Sequence, residues 1–199
     1  MGCRAVAFQA NLVTAGATEK LFADTIAAVG KPDIAINTVG KVLKKPMAEI
    51  SEAEYDEMSA VNAKAAFFSS RKPANKSMTM ARSVRSLPPL LGAYTPFYSS
   101  YAGTKAPVEH FTRAASKEFG ERGISVTAIG LARWIRRFST RLKAPTRVAY
   151  HKTAAALSNF SKTGLTDIGD IVPRVRLLVS EGWWMTGQTI LVNGGYTTK

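Results

Sequence analysis

The chain has 199 residues, 46% of them apolar, so it is long enough to bury a core and is expected to form one domain over residues 1–199. No apolar run approaches the roughly 18–20 residues that cross a membrane, and Met1–Phe8 has no long apolar stretch of the signal-peptide kind. One cysteine (Cys3) cannot make an internal disulfide, which fits a reducing, cytoplasmic setting, and with two histidines it leaves too few soft donors for a His/Cys metal site.

The net charge of +13 is unevenly spread. Residues 69–89 carry Arg71, Lys72, Lys76, Arg82 and Arg85, and residues 131–148 carry Arg133, Arg136, Arg137, Arg141, Lys143 and Arg147, with no acid in either stretch. Without those eleven, 16 basic residues nearly balance 14 acidic ones. Such patches permit a non-catalytic basic module that binds nucleic acid or another polyanion; solvated loops are the plainer reading.

In chain order, Ala5-Val6-Ala7-Phe8 reads as a short buried strand. From Thr14 to Val29 the apolar residues Leu21, Phe22, Ile26 and Val29 recur on one helical face, and Gly30 then Pro32 close the helix. Asp33–Asn37 reads as a strand that turns abruptly polar. Ser51 with Glu54 forms the signature of a capping box, opening a helix through Phe68. Tyr101 to Gly120 reads as a helix ended by glycine, and Ile124–Ile129 as a β-branched strand. Thr166-Asp167 opens a helix to about Ser180, and Gly187–Val192 is a last strand before Asn193-Gly194-Gly195. Strands alternating with helices predict a doubly wound, Rossmann-like α/β fold with a parallel sheet covered on both faces. Such sheets bind ligands at the carboxyl ends of their strands, so Asn37-Thr38-Val39-Gly40 is the first place to look for a site.

Tyr101-Ala102-Gly103-Thr104-Lys105 places a phenol and an ammonium one helical turn apart on one face. An ammonium near a phenol favours the phenolate and lowers its pKa from about 10. The pair can then move a proton to or from an alcohol oxygen. By itself Tyr-x-x-x-Lys is a weak motif.

Its surroundings sharpen it. Asn37-Thr38-Val39-Gly40 after an apolar strand, Asn62 within Val-Asn-Ala-Lys-Ala-Ala-Phe-Phe, the Tyr101/Lys105 pair, and Thr186-Gly187-Gln188 through Gly194-Gly195 follow in the order seen in short-chain dehydrogenases/reductases. The chain resembles that family over residues 5–68 and 90–199. The resemblance implies an oxidoreductase moving a hydride between NAD or NADP and a small alcohol or carbonyl substrate. It implies Tyr101 as acid/base, Lys105 as its electrostatic partner and a contact to the nicotinamide ribose, and Asn62 as holder of a relay water. Asn37 and Gly40 would lie on the cofactor side, with no metal. It also implies a homodimer or homotetramer, built through the long helices and the C-terminal segment; an inactive subunit that joins a full-length relative is a further possibility.

Other residues admit plainer readings. Asn62 taken alone reads as a surface helix residue, His110 and His151 as surface, Trp183 and Trp184 as core or subunit interface, and Tyr94 and Tyr98 as core or pocket lining.

Three parts of the family pattern are missing. No Gly-rich phosphate loop is present: Gly2, Gly16 and Gly30 do not supply its spacing, so the first strands of the fold are expected to be lacking, and Asn11 stands where an adenine-contacting aspartate is usual. The catalytic serine belongs at Pro88 or Pro89. The Pro-Gly loop after Ile129 is replaced by Leu131-Ala132-Arg133-Trp134. The last two defects fall in the basic stretches. Reading the last base of each codon with the first two of the next permits, with suitable synonymous codons, Pro-Gly-Pro-Met-Asp-Thr-Pro from Gly130 onward; the Asp is forced by Trp134-Ile135. The same shift across 69–89 permits a serine codon at Pro89, with Asp forced by Met78-Thr79 and Gly by Met80-Ala81. Residues 69–89 and 131–147 are therefore expected to be out-of-frame translations, in a chain impaired as an enzyme.

Overall fold

A computed structural model describes residues 3–71, 82–87, 96–131, 167–195 and 197. Among these residues four strands, β1 (Ile34–Asn37), β2 (Arg82–Leu87), β3 (Ser125–Leu131) and β4 (Thr189–Val192), form one parallel sheet in the order β1-β2-β3-β4. The register sets Ile34 beside Arg82, Arg82 beside Ser125, and Ala128 beside Thr189. The helices are α1 (Ala17–Val29), α2 (Glu52–Ser59), α3 (Ala65–Arg71), α4 (Ser99–Lys105), α5 (Pro107–Glu118) and α6 (Ile168–Val179). This is the α/β, parallel-sheet class that the alternation predicts.

Side-chain alternation along β3 builds the two layers. Val126 packs with Ala115 and Phe119 of the α5 region, with Phe22 of α1 laid against them. Ala128 packs with Val108 of α5 and Ala66 of α3. On the opposite face Ile129 meets Leu178 of α6, among Val175, Val179, Met185 and Ile190. Ser125 through Gly130 are all buried, as expected for a parallel strand covered on both faces.

Local signals set the ends of these elements. Ser51 and Glu54 form the expected capping box: Ser51 Oγ accepts from Glu54 N–H and the Glu54 carboxylate accepts from Ser51 N–H. The Ser51 backbone N–H, then Lys45, hold the Glu54 pKa down at about 2. Asp167 and Asp170 make a second capping box at α6. Gly30 closes α1 at φ 87, a conformation open to glycine.

Four expectations need correction. Ala5–Phe8 is not a strand: Val6 and Phe8 are exposed and no ladder partner lies beside them among the described residues, so apolar character alone does not order the segment as a strand. The helix from Ser51 is interrupted by a π-turn at Ala60–Lys64. The helix carrying Tyr101 starts at Ser99 and breaks near Ala106, because Pro107 has no N–H for the preceding turn. Its terminator is Gly123, at φ 69 after a tight turn over Gly120–Arg122, rather than Gly120.

Candidate functional site

The site lies where the carboxyl end of β1 meets α4. Asn37 ends β1 with its side chain bent back: Oδ1 accepts from Val39 N–H at 2.9 Å, and Nδ2 donates to Ser69 Oγ at 2.7 Å. This local turn swings residues 38–41 out of the strand and over α4.

Lys105 reaches that segment from α4. Its Nζ donates to Val39 O at 2.8 Å, and the residue is 6% exposed. Burial pushes its pKa down from 10.5 to about 8. Gly40 makes the approach possible: a Cβ there would stand 2.8 Å from Lys105 Nζ, 2.9 Å from Cε and 3.1 Å from Asn62 Oδ1. Tyr101, half-buried, lies one turn before Lys105, with its ring centroid 6.3 Å from that of Tyr98.

Asn62 is fully buried at 0% exposure, which overturns its reading as a surface residue. Its Oδ1 accepts from Lys41 N–H at 2.9 Å, and Nδ2 donates to Lys41 O at 3.0 Å and to Thr104 Oγ1 at 3.1 Å. It sits inside the π-turn, the kind of helical irregularity often found at functional sites. Asn37, Gly40, Asn62 and Lys105 therefore form one connected cluster, with Tyr101 beside it on α4.

The neighbouring loops meet over the same end of the fold. Lys45 N–H donates to Phe97 O at 2.9 Å, tying the segment after β1 to the entry of α4. Phe97 adopts φ 73, a left-handed conformation that costs a side-chain-bearing residue about 1–3 kcal/mol. Lys44 Nζ stands 5.8 Å and 5.7 Å from the Phe97 and Tyr98 ring centroids. Lys41 pairs with Glu57, and Lys45 with Glu54 at 2.9 Å. Motif reading had not singled out Thr104, Phe97 or the lysines of this loop.

Of the remaining candidates, His110 is exposed, and so are Trp183 and Trp184, the latter at 82%, which removes them from the core. Tyr94, His151, Pro88, Pro89 and the second basic stretch from Ala132 on lie outside the described residues. Among the described residues no group of three His, Cys, Asp or Glu could hold a metal, and no helix is long and apolar enough to cross a membrane.

A family model described as Enoyl-(Acyl carrier protein) reductase matches residues 1–197. The chain belongs to the short-chain dehydrogenase/reductase family. Among solved structures, a dehydrogenase from Burkholderia cenocepacia with bound NADP is 62% identical, with a TM-score of 0.92, over 100% of this chain and 75% of that one. A dehydrogenase/reductase from Sinorhizobium meliloti 1021 is 26% identical with a TM-score of 0.85, over 99% of this chain and 76% of that one. The NADPH-dependent aldehyde reductase-like protein of Arabidopsis thaliana chloroplasts is 30% identical over 98% of this chain and 73% of its own length. The family is one of NAD(P)-dependent oxidoreductases with a Rossmann-like sheet, and the chain spans about three quarters of the length of these relatives.

The cluster fits the reacting end of such a cofactor. Lys105 is a buried ammonium with three donors, one of them on Val39 O, which suits a ribose hydroxyl. Gly40 keeps a side chain out of the same space. No strand-to-helix glycine loop for the pyrophosphate occurs among the described residues: Gly16 precedes α1 without a strand before it.

Proposed function

We propose that the site serves hydride transfer between NADP or NAD and a small alcohol or carbonyl compound. The observation that carries this is the buried Lys105, one turn after Tyr101 and held on Val39 O in a segment that Asn62 fixes through Lys41. When bound, the nicotinamide supplies the hydride acceptor or donor. In the oxidation direction the Tyr101 phenolate oxygen takes the hydroxyl proton, and in reduction the phenol returns it to the carbonyl oxygen. The Lys105 ammonium favours the phenolate and holds the ribose side. Asn62 keeps the segment after β1 in register with α4 and serves the relay water. Asn37 and Gly40 shape the cofactor side. NADP is favoured over NAD by the ligand of the Burkholderia cenocepacia relative.

The chain as written is a weak enzyme in this reading. Pro88 and Pro89 offer no hydroxyl where the serine belongs; losing such a donor costs roughly 2.7–4 kcal/mol of barrier where oxyanion donors have been removed. We attribute this to residues 69–89 and 131–147 being read out of frame. The position of β2 supports that attribution. Its segment Arg-Ser-Val-Arg-Ser-Leu is paired on both sides, between β1 and β3, where parallel strands are ordinarily runs of Val, Ile and Leu. The exposed Trp183 and Trp184 and the single free cysteine, Cys3, fit a homo-oligomer in a cytoplasmic setting.

Two experiments test the reading. With both stretches restored to the shifted frame, the protein should reduce a carbonyl panel with NADPH, and Tyr101→Phe should abolish this. Inactivity of the restored protein toward every carbonyl offered, with no cofactor binding, would sink it. Peptides of 69–89 and 131–147 recovered from the native organism in the present frame would sink the frame attribution alone.

A further inference from the structure

Thr104 precedes Lys105, is 3% exposed, and sits at a junction of the cluster. Its Oγ1 donates to Ser100 O at 2.7 Å, with Tyr101 O at 3.3 Å as the alternative acceptor. A hydroxyl has one hydrogen. With that hydrogen on a main-chain carbonyl, Thr104 can only accept from Asn62, and Asn62 Nδ2 lies 3.1 Å away. The second Nδ2 hydrogen is used on Lys41 O and Oδ1 is used on Lys41 N–H. An inverted amide would set Oδ1 against a hydroxyl with no hydrogen to give, and Nδ2 against the Lys41 N–H. The hydroxyl of Thr104 therefore acts with the two polar groups of Lys41 in fixing which way Asn62 faces.

That choice propagates to Lys105. Residues 39–41 are gripped from two helices, by Lys105 at Val39 O and by Asn62 at both polar groups of Lys41. Gly40 lies between the two grips.

We infer that Thr104 is a positioning residue, whose hydroxyl orients the Asn62 amide and, through Lys41 and Gly40, holds the segment after β1 closed over Lys105. Calling this part of an active site rests on the proposed function; the bonding itself does not. The charged groups on the elements around Lys105 leave burial as the property under Thr104's control. Lys41 and Lys45 of the loop are paired with Glu57 and Glu54 of α2, Lys44 stands over the Phe97 and Tyr98 rings, Glu109 is paired with Arg113 on α5, and Tyr101 is on α4 itself. Desolvation is what depresses the Lys105 pKa. Loosening the segment admits water, so the ammonium becomes easier to keep and its pKa rises.

The test compares the full chain with Thr104→Val and Thr104→Ser. Trace acetylation with acetic anhydride, read by mass spectrometry across pH, gives the Lys105 midpoint. Amide exchange by NMR gives the protection of Lys41 N–H. Thr104→Val should raise the midpoint from about 8 toward 10.5, by about one unit or more, and strip the Lys41 protection. Thr104→Ser, which keeps the hydroxyl, should restore both. An unchanged midpoint in Thr104→Val, or a serine variant that behaves like valine, overturns the inference. Should the valine variant not fold, Thr104→Cys, with a weak sulfur acceptor, takes its place under the same two outcomes. An NADPH titration of the same proteins separates this inference from the one beneath it. A midpoint that responds to Thr104 while no variant binds NADPH leaves the positioning role standing and counts against the oxidoreductase reading. NADPH binding with an insensitive midpoint does the reverse.

Discussion

Gly40→Ala isolates the close approach on which the site depends. No left-handed backbone is required at Gly40, so alanine meets no conformational penalty, and the effect is steric. The new Cβ would stand 2.8 Å from Lys105 Nζ and 2.9 Å from Cε. Carbon contacts prefer about 3.5–4.0 Å, so the lysine must withdraw by roughly an ångström. Its bond to Val39 O, 2.8 Å long, does not survive that withdrawal. Losing a hydrogen bond to a charged group costs about 1.5–3 kcal/mol. For a chain of this size each kcal/mol lowers Tm by roughly 2–4 °C. Gly103→Ala is the matched control. Gly103 lies in α4, and a Cβ there meets nothing within 4 Å, so the change should stabilise by about 0.5–1 kcal/mol through helix propensity. Thermal unfolding by circular dichroism reads both variants, and Lys105 trace acetylation reads the site. A Gly40→Ala protein as stable as the parent, with unaltered Lys105 labelling, would refute the reasoning.

Three further outcomes follow from the same geometry. Lys105 has a folded-state pKa of about 8 against 10.5 unfolded, so the unfolded chain binds more protons between those values and wild-type stability should rise with pH across that window relative to Lys105→Met; parallel curves in chemical denaturation would contradict this. Asn62→Leu removes the partners of the Lys41 N–H and C=O, at about 0.5–1.5 kcal/mol for each hydrogen bond lost, and should shift the urea midpoint without changing the slope; a midpoint within error of wild type would count against it. At the β1 edge, Ile34 and Ile36 are exposed, the latter at 51%, so Ile36→Lys should reduce self-association in sedimentation velocity; an unchanged distribution would show that this edge is not the adhesive surface.

What the sequence made legible was local. The Ser51/Glu54 box, the Gly30 cap and the β-branched run at Ile124–Ile129 each involve neighbouring residues, and each was found where expected. What it hid depends on contacts across the chain. Ala5–Phe8 has the composition of a strand but no ladder partner among the described residues. Asn62 looks like a surface residue until Lys41, 21 positions earlier, and Thr104, 42 positions later, are brought to it. The π-turn at Ala60–Lys64 carries that buried amide, a contact that no helical period announces. Gly40 was read as a cofactor-side residue, but its tight contact with Lys105 needed the fold. The Tyr101/Lys105 pair was legible because both residues lie on one helix, whereas the depth of Lys105 under Val39 was not.

The most direct test titrates NADPH and NADH into the chain as it stands, by thermal shift and tryptophan fluorescence, beside Lys105→Met and beside the protein with both stretches restored to the shifted frame. The account predicts weak, saturable NADPH binding that Lys105→Met removes and that frame restoration tightens. Binding that is indifferent to Lys105, or no binding of either nucleotide even after restoration, would contradict it.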